Sequence, residues 1–272
     1  MSTLAAWELR AHNTATHSGN KIHDDEVARR FGFGGGLVPG VDLYAYLTHP
    51  PAEAWGLDWL ERGTMQARFS RPVYEGDAVR VVPVAQDEDD DEQRVRLELR
   101  NSDDVVCATG AASLPHRAPE RPALDRWLEV LQAESPPAAS PMTLPVGRQF
   151  GLSRHGFHAD RADEYLDDVR ETLPLYRSAR VAHPGWLLRD ANYVLSRNVR
   201  LGPWIHVESA AQHHGLVHDG ESVSTSAIVT AEWEHKGHRF LTLDVAMIVA
   251  DGVATRVTHT AIYEPRQVST TA

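Results

Sequence analysis

The same order of turns and apolar runs occurs twice along the chain, and this repeat limits its possible folds more than any other feature. In the first half, Val38-Pro39-Gly40 opens an apolar run of helical character, and Glu75-Gly76-Asp77 forms a turn between two strand-like runs. In the second half, His183-Pro184-Gly185 opens a similar run, and Asp219-Gly220-Glu221 is the corresponding turn. The helix glycine precedes the turn glycine by 36 residues in the first half (76 − 40) and by 35 in the second (220 − 185). The shared order and spacing indicate two copies of one supersecondary unit.

Each copy predicts one helix followed by a meander of antiparallel strands. In the first copy a helix over residues 41–47, which we expect Pro50-Pro51 to end, precedes strand-like runs at 64–73, 78–85, 95–99 and 105–114. In the second copy a helix at 186–195 precedes runs at 204–210, 223–233, 240–250 and 253–263. Period-two alternation and turn residues between the runs support the strands. A sheet wrapped around one helix buries the apolar side of both, so we expect an α+β fold.

A proline-rich segment separates the two copies. Seven of the 16 prolines fall between Pro115 and Pro145, with one amphipathic run at 123–134 among them. This composition is typical of a connector between domains. We therefore predict an N-terminal domain over residues 1–114, a connector over 115–150 and a C-terminal domain over 151–272.

Charge and cysteine content exclude several classes of function. The net charge of −11 argues against a nucleic-acid surface, which requires clustered Lys and Arg side chains. Cys107 is the single cysteine, so no internal disulfide can form and a reducing compartment is favoured. Residues 1–10 lack the apolar stretch of a signal peptide, and the chain contains no apolar run long enough for a transmembrane helix. We expect a cytoplasmic protein that binds neither nucleic acid nor membrane.

A polar motif lies just before the first helix. It reads Ser18-Gly19-Asn20-Lys21-Ile22-His23-Asp24-Asp25, and a short helix-like run at 24–31 and a glycine-rich passage connect it to Pro39-Gly40. A His side chain titrates near neutrality, and a helix that begins at Gly40 has unpaired backbone N–H groups. These are the components of an acid/base site with an oxyanion hole.

The motif resembles one known family. The segment from Asn20 to Ala28, the following Gly32-Phe33-Gly34-Gly35-Gly36 and the run at 68–77 are similar to the MaoC-like enoyl-acyl hydratases and dehydratases of the hot-dog fold. The resemblance covers roughly the first 100 residues. With the repeat, it implies a double hot-dog, in which two antiparallel sheets are each wrapped around a central helix. It also implies one pocket per chain, where the two central helices meet.

The chain departs from this family at a catalytic position. The family carries Asp-x-Asn-Pro-(Ile/Leu)-His, with the Asp and the His as the catalytic pair. Counted back from His23 without gaps, Ser18 takes the place of the Asp; anchored on Ser-Gly, Asn20 takes that place after a two-residue deletion. The carboxylate is absent in either alignment.

The resemblance implies a role for each residue of the motif. His23 would be the acid/base, Asn20 its polar companion and the Gly40 N–H the oxyanion donor. Asp24 or Asp25 would replace the lost carboxylate, or would only stabilise a helix N-terminus.

Further candidates for the pocket come from both halves of the chain. They are Ser18 and Pro39 in the first half, and His183, Gly185 and His206 in the second. Two other His groups, His213-His214 with His218 and His235 with His238, have spacings that metal ligands show. Neither is accompanied by Cys or by an HExxH motif. We therefore predict no metal and no cofactor.

The function implied by the resemblance is hydration or dehydration of an acyl thioester on coenzyme A or an acyl carrier protein, a lyase reaction. The missing Asp leaves two alternatives open. One is a thioesterase, isomerase or cyclase of specialised metabolism that uses the same pocket, and the other is a non-catalytic acyl-binding or scaffold subunit. A homodimer is a further expectation, because double hot-dog chains often pair.

Overall fold

The computed structural model describes residues 4–127, 130–250 and 252–266. Ten strands form one sheet in the order β1-β3-β4-β5-β2-β7-β10-β9-β8-β6. The strands are β1 (Trp7–Arg10), β2 (Thr64–Phe69), β3 (Ala78–Glu88), β4 (Glu92–Asn101), β5 (Val106–Pro115), β6 (Gln149–Gly156), β7 (Ile205–His213), β8 (Ser222–His235), β9 (His238–Val249) and β10 (Gly252–Glu264). The helices are α1 (Asp25–Arg30), α2 (Gly40–Arg62), α3 (Ala159–Asp168), α4 (Leu175–Ala179) and α5 (Pro184–Ser196).

The sheet consists of two equivalent halves joined at its centre. Each half contributes five strands, and the halves meet where β2 pairs antiparallel with β7. At this seam Thr64 lies opposite Gln212 and Arg68 lies opposite Glu208. The two sheets predicted from the sequence are therefore edge to edge, and backbone hydrogen bonds make them continuous.

Equivalent contacts fix the alignment of the two halves. Leu37 forms an isolated bridge with Tyr74, and Val181 forms one with His218, so each residue of the second bridge follows its counterpart by 144 positions (181 − 37 and 218 − 74). The turn glycines Gly76 and Gly220 obey the same offset, and both adopt positive φ, at 76° and 83°. Only glycine enters this region without a steric cost, which explains why the two turns share it. By this offset the counterpart of Gly40 is Pro184, whereas the sequence analysis had aligned Gly40 with Gly185.

The central helix of the first half is longer than predicted. The expectation that Pro50-Pro51 ends it is wrong, since α2 continues to Arg62 and loses helical dihedrals only at Gly56 (φ 57°, ψ −142°). Every residue from Val41 to Ala52 is buried, so α2 is covered on all sides where it passes through Pro50-Pro51. A helix that is covered all round gains its stability from packing, and this outweighs the missing proline N–H groups.

The two central helices position the site. α2 packs against β2, β3, β4, β5 and β7, while α5 packs against β6, β8, β9 and β10. α2 and α5 also contact each other. The start of α2 lies beside the seam, since a Cβ atom at Gly40 would be 2.7 Å from His206 on β7.

The connector packs against the sheet of the second half. Within the amphipathic run predicted at 123–134, the described residues contain a 3₁₀ turn at Leu124–Arg126, and residues 128–129 lie outside the described part. Arg126 pairs with Asp244 at 2.9 Å, and Trp127 is buried beside Ala246. The proposed division into two domains and a connector remains a prediction. None of the helices in the described ranges combines the length and the apolar character needed to cross a membrane.

Candidate active site

His23 ends a 3₁₀ turn, Lys21–His23, that Asn20 caps. Its Nδ1 lies 2.8 Å from the carbonyl oxygen of Leu37. Because a carbonyl oxygen only accepts, Nδ1 carries the proton and Nε2 keeps a lone pair. This tautomer makes Nε2 the basic atom of the ring.

The surroundings of His23 keep its ring neutral. Burial lowers the pKa of His23 below its ordinary value of 6.5. The Leu37 carbonyl and the charge of Asp42 act in the opposite direction and offset part of this fall. A neutral imidazole with its lone pair on Nε2 is suited to remove a proton from water or substrate.

Asn20 mainly fastens the motif to the second half of the chain. Its Nδ2 donates to the carbonyl of Trp204 at 2.9 Å, and its Oδ1 accepts from the Trp204 N–H at 3.1 Å. The same Nδ2 lies 3.3 Å from His23 Nε2. Asn20 is thus beside the predicted base, but most of its hydrogen-bonding capacity is used for support. Ser18 donates its hydroxyl to the backbone carbonyl of Asn20 at 3.1 Å.

The start of α2 supplies backbone donors. Pro39 is the N-cap residue, and neither the Gly40 N–H nor the Val41 N–H has an acceptor within the part of the chain that the structure describes. A Cβ atom at Gly40 would lie 2.7 Å from His206 Nδ1, so only glycine permits this close approach. Two free N–H groups at a helix N-terminus are suited to bind a negative oxygen.

His23 lies at the junction of a cavity with two lobes. A lobe of about 460 Å³ lies on one side and a more apolar lobe of about 340 Å³ on the other; the first, which has the larger polar share, is called the polar lobe and the second the apolar lobe. Five residues line both lobes: Asn20, His23, Pro39, Asn192 and Trp204. Val41 lines the polar lobe and Gly40 the apolar lobe, so the free N–H groups of α2 also bracket the junction.

The second half supplies one wall of the polar lobe. The residues lie on one face of α5, at i, i+3, i+4 and i+7, and are Arg189, Asn192, Tyr193 and Ser196. The sequence analysis missed all four, because the same spacing is typical of an ordinary amphipathic helix. Both halves therefore contribute to the cavity, as we expected for a pocket between the central helices.

A buried ion pair links the two central helices beside His23. Asp42 on α2 is fully buried and lies 3.1 Å from Arg189 on α5, and the Thr14 hydroxyl donates to it at 2.6 Å. Burial raises the pKa of Asp42, while Arg189 and Thr14 favour the charged form. The sequence analysis missed Asp42, since an acidic residue in a first helical turn is ordinarily a solvated one.

Asp24 and Asp25 do not line either lobe. Asp24 Oδ1 accepts from the Val27 N–H at 3.0 Å and so caps α1. Asp25 Oδ1 accepts from the Gly36 N–H at 2.8 Å and holds the glycine-rich loop. Both carboxylates also line, together with His23, a separate cavity beside the glycine-rich loop, and a catalytic role for either remains a prediction.

His183 and Gly185 also lie outside the two lobes. His183 Nδ1 accepts from the Gly185 N–H at 2.9 Å, and its Nε2 lies 3.5 Å from Glu171. A Cβ atom at Gly185 would lie 2.8 Å from the Ala45 side chain, so this glycine serves close packing of the central helices. The space beside His183 is only about 10 Å³, and Pro184, the counterpart of Gly40, has no N–H to donate. The second half thus lacks the parts of a matching site.

Glu171 joins two His side chains from different elements. Its Oε1 accepts from His49 Nδ1 at 2.8 Å and from the Leu173 N–H at 2.7 Å. Burial disfavours its charge, but the contacts with His183 and His49 outweigh this and lower the pKa of Glu171 to about 2. A charged Glu171 therefore ties α2 to the start of α5.

His206 lines the apolar lobe at the start of α2. Its Nε2 lies 2.8 Å from the Ser209 hydroxyl, which lies 2.9 Å from His259 Nδ1. Burial and the neighbouring His259 hold the pKa of His206 well below its ordinary value. His206 is thus a neutral member of the wall near Gly40.

The His groups with metal-like spacing are used in other ways. His213 is buried with its Nδ1 3.3 Å from the Thr255 hydroxyl, and His235 lies opposite His238 in the β8–β9 hairpin. Within residues 4–127, 130–250 and 252–266, no three His, Cys, Asp or Glu side chains are grouped as metal ligands.

Comparisons with known proteins identify the fold. No protein-family model matches the chain, and no curated protein matches it significantly in sequence. Solved structures match over nearly the whole length. A putative MaoC domain protein dehydratase from Chloroflexus aurantiacus J-10-fl has a TM-score of 0.65 at 12% identity, covering 98% of this chain and 96% of its own. A conserved hypothetical protein from Mycobacterium tuberculosis, described as a double hot-dog, has a TM-score of 0.64 at 14% identity, covering 96% of each chain.

A structure described as a thioesterase is also similar. This putative thioesterase from Novosphingobium aromaticivorans DSM 12444 has a TM-score of 0.57 at 11% identity, and 96% of each chain is covered. Identities this low establish the fold and leave the reaction to be argued from the site. The chain therefore has the double hot-dog fold predicted from its sequence, which it shares with structures described as MaoC-like dehydratases and thioesterases.

Proposed function

We propose that the chain is an enzyme that hydrates enoyl thioesters, or dehydrates 3-hydroxyacyl thioesters, carried by coenzyme A or an acyl carrier protein. The observation that carries this proposal is the position of His23. A neutral ring whose Nε2 lone pair lies 3.3 Å from Asn20 Nδ2 stands at the junction of the two lobes, beside the unpaired N–H groups of Gly40 and Val41.

The hydration step uses these groups in turn. His23 Nε2 removes a proton from water as the water oxygen forms a bond to C3 of the enoyl group. The electrons of the double bond move toward the thioester, and the resulting enolate oxygen accepts hydrogen bonds from Gly40 and Val41. The protonated His23 then returns a proton to C2, which restores the neutral ring. Dehydration is the reverse sequence.

The apolar lobe provides space for a hydrocarbon acyl chain. Its wall includes Leu37, Phe69 and Phe240, and burial of each methylene against such a wall contributes about 0.8 kcal/mol. The polar lobe on the other side of His23 is left for the more polar part of the substrate.

A thioesterase is the second candidate. It is favoured because no carboxylate hydrogen-bonds to the His23 ring within the part of the chain that the structure describes, and Asp42 is fully buried against Arg189 and Thr14. In this reaction the water activated by His23 attacks the thioester carbon, and the same N–H groups stabilise the tetrahedral oxyanion. The thiol of the carrier then leaves.

An ultraviolet assay of enoyl-CoA hydration across chain lengths tests the proposal. His23→Ala should lower the rate at least about 100-fold, because general acid–base catalysis contributes that much or more. The exposed His17 supplies a matched control, and His17→Ala should keep the wild-type rate. Ser18→Asp should raise the rate if the lost carboxylate limits it.

The same preparations distinguish the alternatives. Release of thiol from saturated acyl-CoA that depends on His23, without enoyl hydration, would assign a thioesterase. No reaction with either substrate, together with acyl-CoA binding that His23→Ala leaves unaltered, would overturn an enzymatic function and indicate an acyl-binding subunit.

A further inference from the structure

The junction between the two lobes contains two amide side chains, Asn20 and Asn192. They come from opposite halves of the chain, Asn20 from the motif before α1 and Asn192 from α5. Both line the polar and the apolar lobe together with His23. Their hydrogen bonding, however, is very different.

The Asn20 amide is already engaged. Its oxygen accepts from the Trp204 N–H and caps the 3₁₀ turn, and its nitrogen donates to the Trp204 carbonyl and lies near His23 Nε2. Both acceptor positions and both donor hydrogens of the amide are accounted for by these contacts. Asn20 has no capacity left for a substrate unless it releases the second half of the chain.

The Asn192 amide is not satisfied. Its Oδ1 is buried and has no hydrogen-bond partner among the described residues. A buried acceptor without a donor costs about 1–3 kcal/mol, and such groups in folded proteins call for a specific explanation. Because this oxygen has almost no accessible surface, the amide must turn before a donor at the junction can satisfy it.

We propose that Asn192 is the residue that binds the hydroxyl group of the 3-hydroxyacyl substrate, or the attacking water in the reverse direction. This inference rests on the proposed function. In it Asn192, rather than Asn20, is the polar companion of His23. Rotation about the last side-chain torsion of Asn is soft, so the amide can turn its oxygen into the junction when a donor arrives.

The geometry gives the reacting oxygen a partner on each half. In the dehydration direction the substrate hydroxyl donates its single hydrogen to Asn192 Oδ1, and His23 Nε2 is left to remove the proton from C2. In the reverse direction water displaces Asn20 Nδ2 and donates one hydrogen to His23 Nε2, which is the base. In the hydration direction, water donates its second hydrogen to Asn192 Oδ1, which stays neutral and only orients the molecule. A carboxylate would perform this orienting role in a similar way, so Asn192 offsets part of the loss of the family Asp.

Paired ligands that differ by one hydroxyl test this assignment. Titration calorimetry is used to compare 3-hydroxybutyryl-CoA, as each enantiomer, with butyryl-CoA, and the comparison is repeated for ten-carbon chains. Wild type should bind one hydroxylated enantiomer about tenfold more tightly than the saturated ligand. Asn192→Leu should abolish this preference, and Asn192→Asp, which keeps an acceptor, should retain it.

Two controls separate binding from folding. Glu164→Gln, at an exposed position of α3 that lines neither lobe, should leave the hydroxyl preference intact. Thermal melting checks each variant, and Asn192→Ala replaces the Leu variant if the latter does not fold.

The outcomes distinguish this inference from the proposed function. A hydroxyl preference that Asn192→Leu removes supports the inference even if wild type does not turn over enoyl-CoA, in which case only the catalytic proposal fails. Turnover in wild type with the same preference in Asn192→Leu overturns the inference and leaves the catalytic proposal standing. Equal affinity of wild type for both ligands also overturns the inference.

Discussion

Replacing Glu171 by Gln should destabilise the protein in a pH-dependent manner. The substitution keeps the shape of the side chain and its acceptor oxygen but removes the charge. Glu171 is 4% exposed and lies between His49 and His183, and no Lys or Arg side chain pairs with it within the described residues. Its loss therefore tests how much the buried carboxylate contributes to the link between α2 and the start of α5.

The structure gives the size of the effect. The pKa of Glu171 falls from an ordinary 4.5 to about 2 on folding. At about 1.4 kcal/mol for each unit of pKa, this corresponds to a contribution of about 3 kcal/mol to the free energy of unfolding. Because the pKa is lower in the folded state, this contribution is complete above pH 4.5 and is lost as the pH falls toward 2. The Gln variant should therefore be less stable than wild type by about 2–3 kcal/mol at neutral pH, and the gap should narrow in acid.

Urea unfolding followed by tryptophan fluorescence measures this difference at neutral pH and at successively lower values. Glu164→Gln on α3 is the control, because Glu164 is exposed and should change stability by no more than about 0.5 kcal/mol. If Glu171→Gln unfolds at the same urea concentration as the control, or if its deficit grows in acid, the reasoning about the buried carboxylate is wrong.

Three further predictions concern the cavity. Gly40→Ala would place a methyl group 2.7 Å from His206 Nδ1 and disturb the free N–H groups, so enoyl-CoA turnover should fall about 10- to 100-fold, and the thermal midpoint should also fall because the buried His206 must move. Since the base form of His23 is required and burial lowers its pKa, kcat/KM should decline in acid only below pH 6.5, and a decline that begins above 6.5 would contradict this role. Asp42→Asn removes a charge that raises the pKa of His23, so the decline of kcat/KM in acid should begin at a lower pH than in wild type. The same change leaves Arg189 without its partner and should cost about 3 kcal/mol in urea unfolding, whereas unchanged stability would show that the pair contributes little.

Local chemistry made much of the fold predictable. The turns at Gly76 and Gly220 require positive φ, and Pro39 marks the start of a helix, so short stretches of sequence were enough to locate the repeat. Packing determined the parts of the fold that local sequence did not predict. Pro50-Pro51 is typical of a helix end. α2 nevertheless continues through these residues, because it is buried on all sides around them.

The candidate site was predictable in part for the same reason. His23 and Gly40 belong to a recognisable motif, and the structure brings the ring and the start of α2 to one junction. Arg189 and Asn192 belong to α5, and nothing in their spacing shows which cavity that face of the helix meets. The sequence also does not predict that Asp42 pairs with Arg189, because the two residues are 147 positions apart in the chain.

The pairing of β2 with β7 has a consequence for how the sequences of the two halves can diverge. This seam is held by backbone N–H and C=O groups, which every residue except proline supplies in full. Most substitutions in these strands therefore leave its hydrogen bonds in place, and covalent continuity keeps the halves together at any concentration. A pair of separate, identical subunits must keep both copies of a site alike, whereas this chain can accumulate differences between its halves. Pro184 in the position that corresponds to Gly40 is one such difference, and it frees the second half to act as a wall for the site of the first.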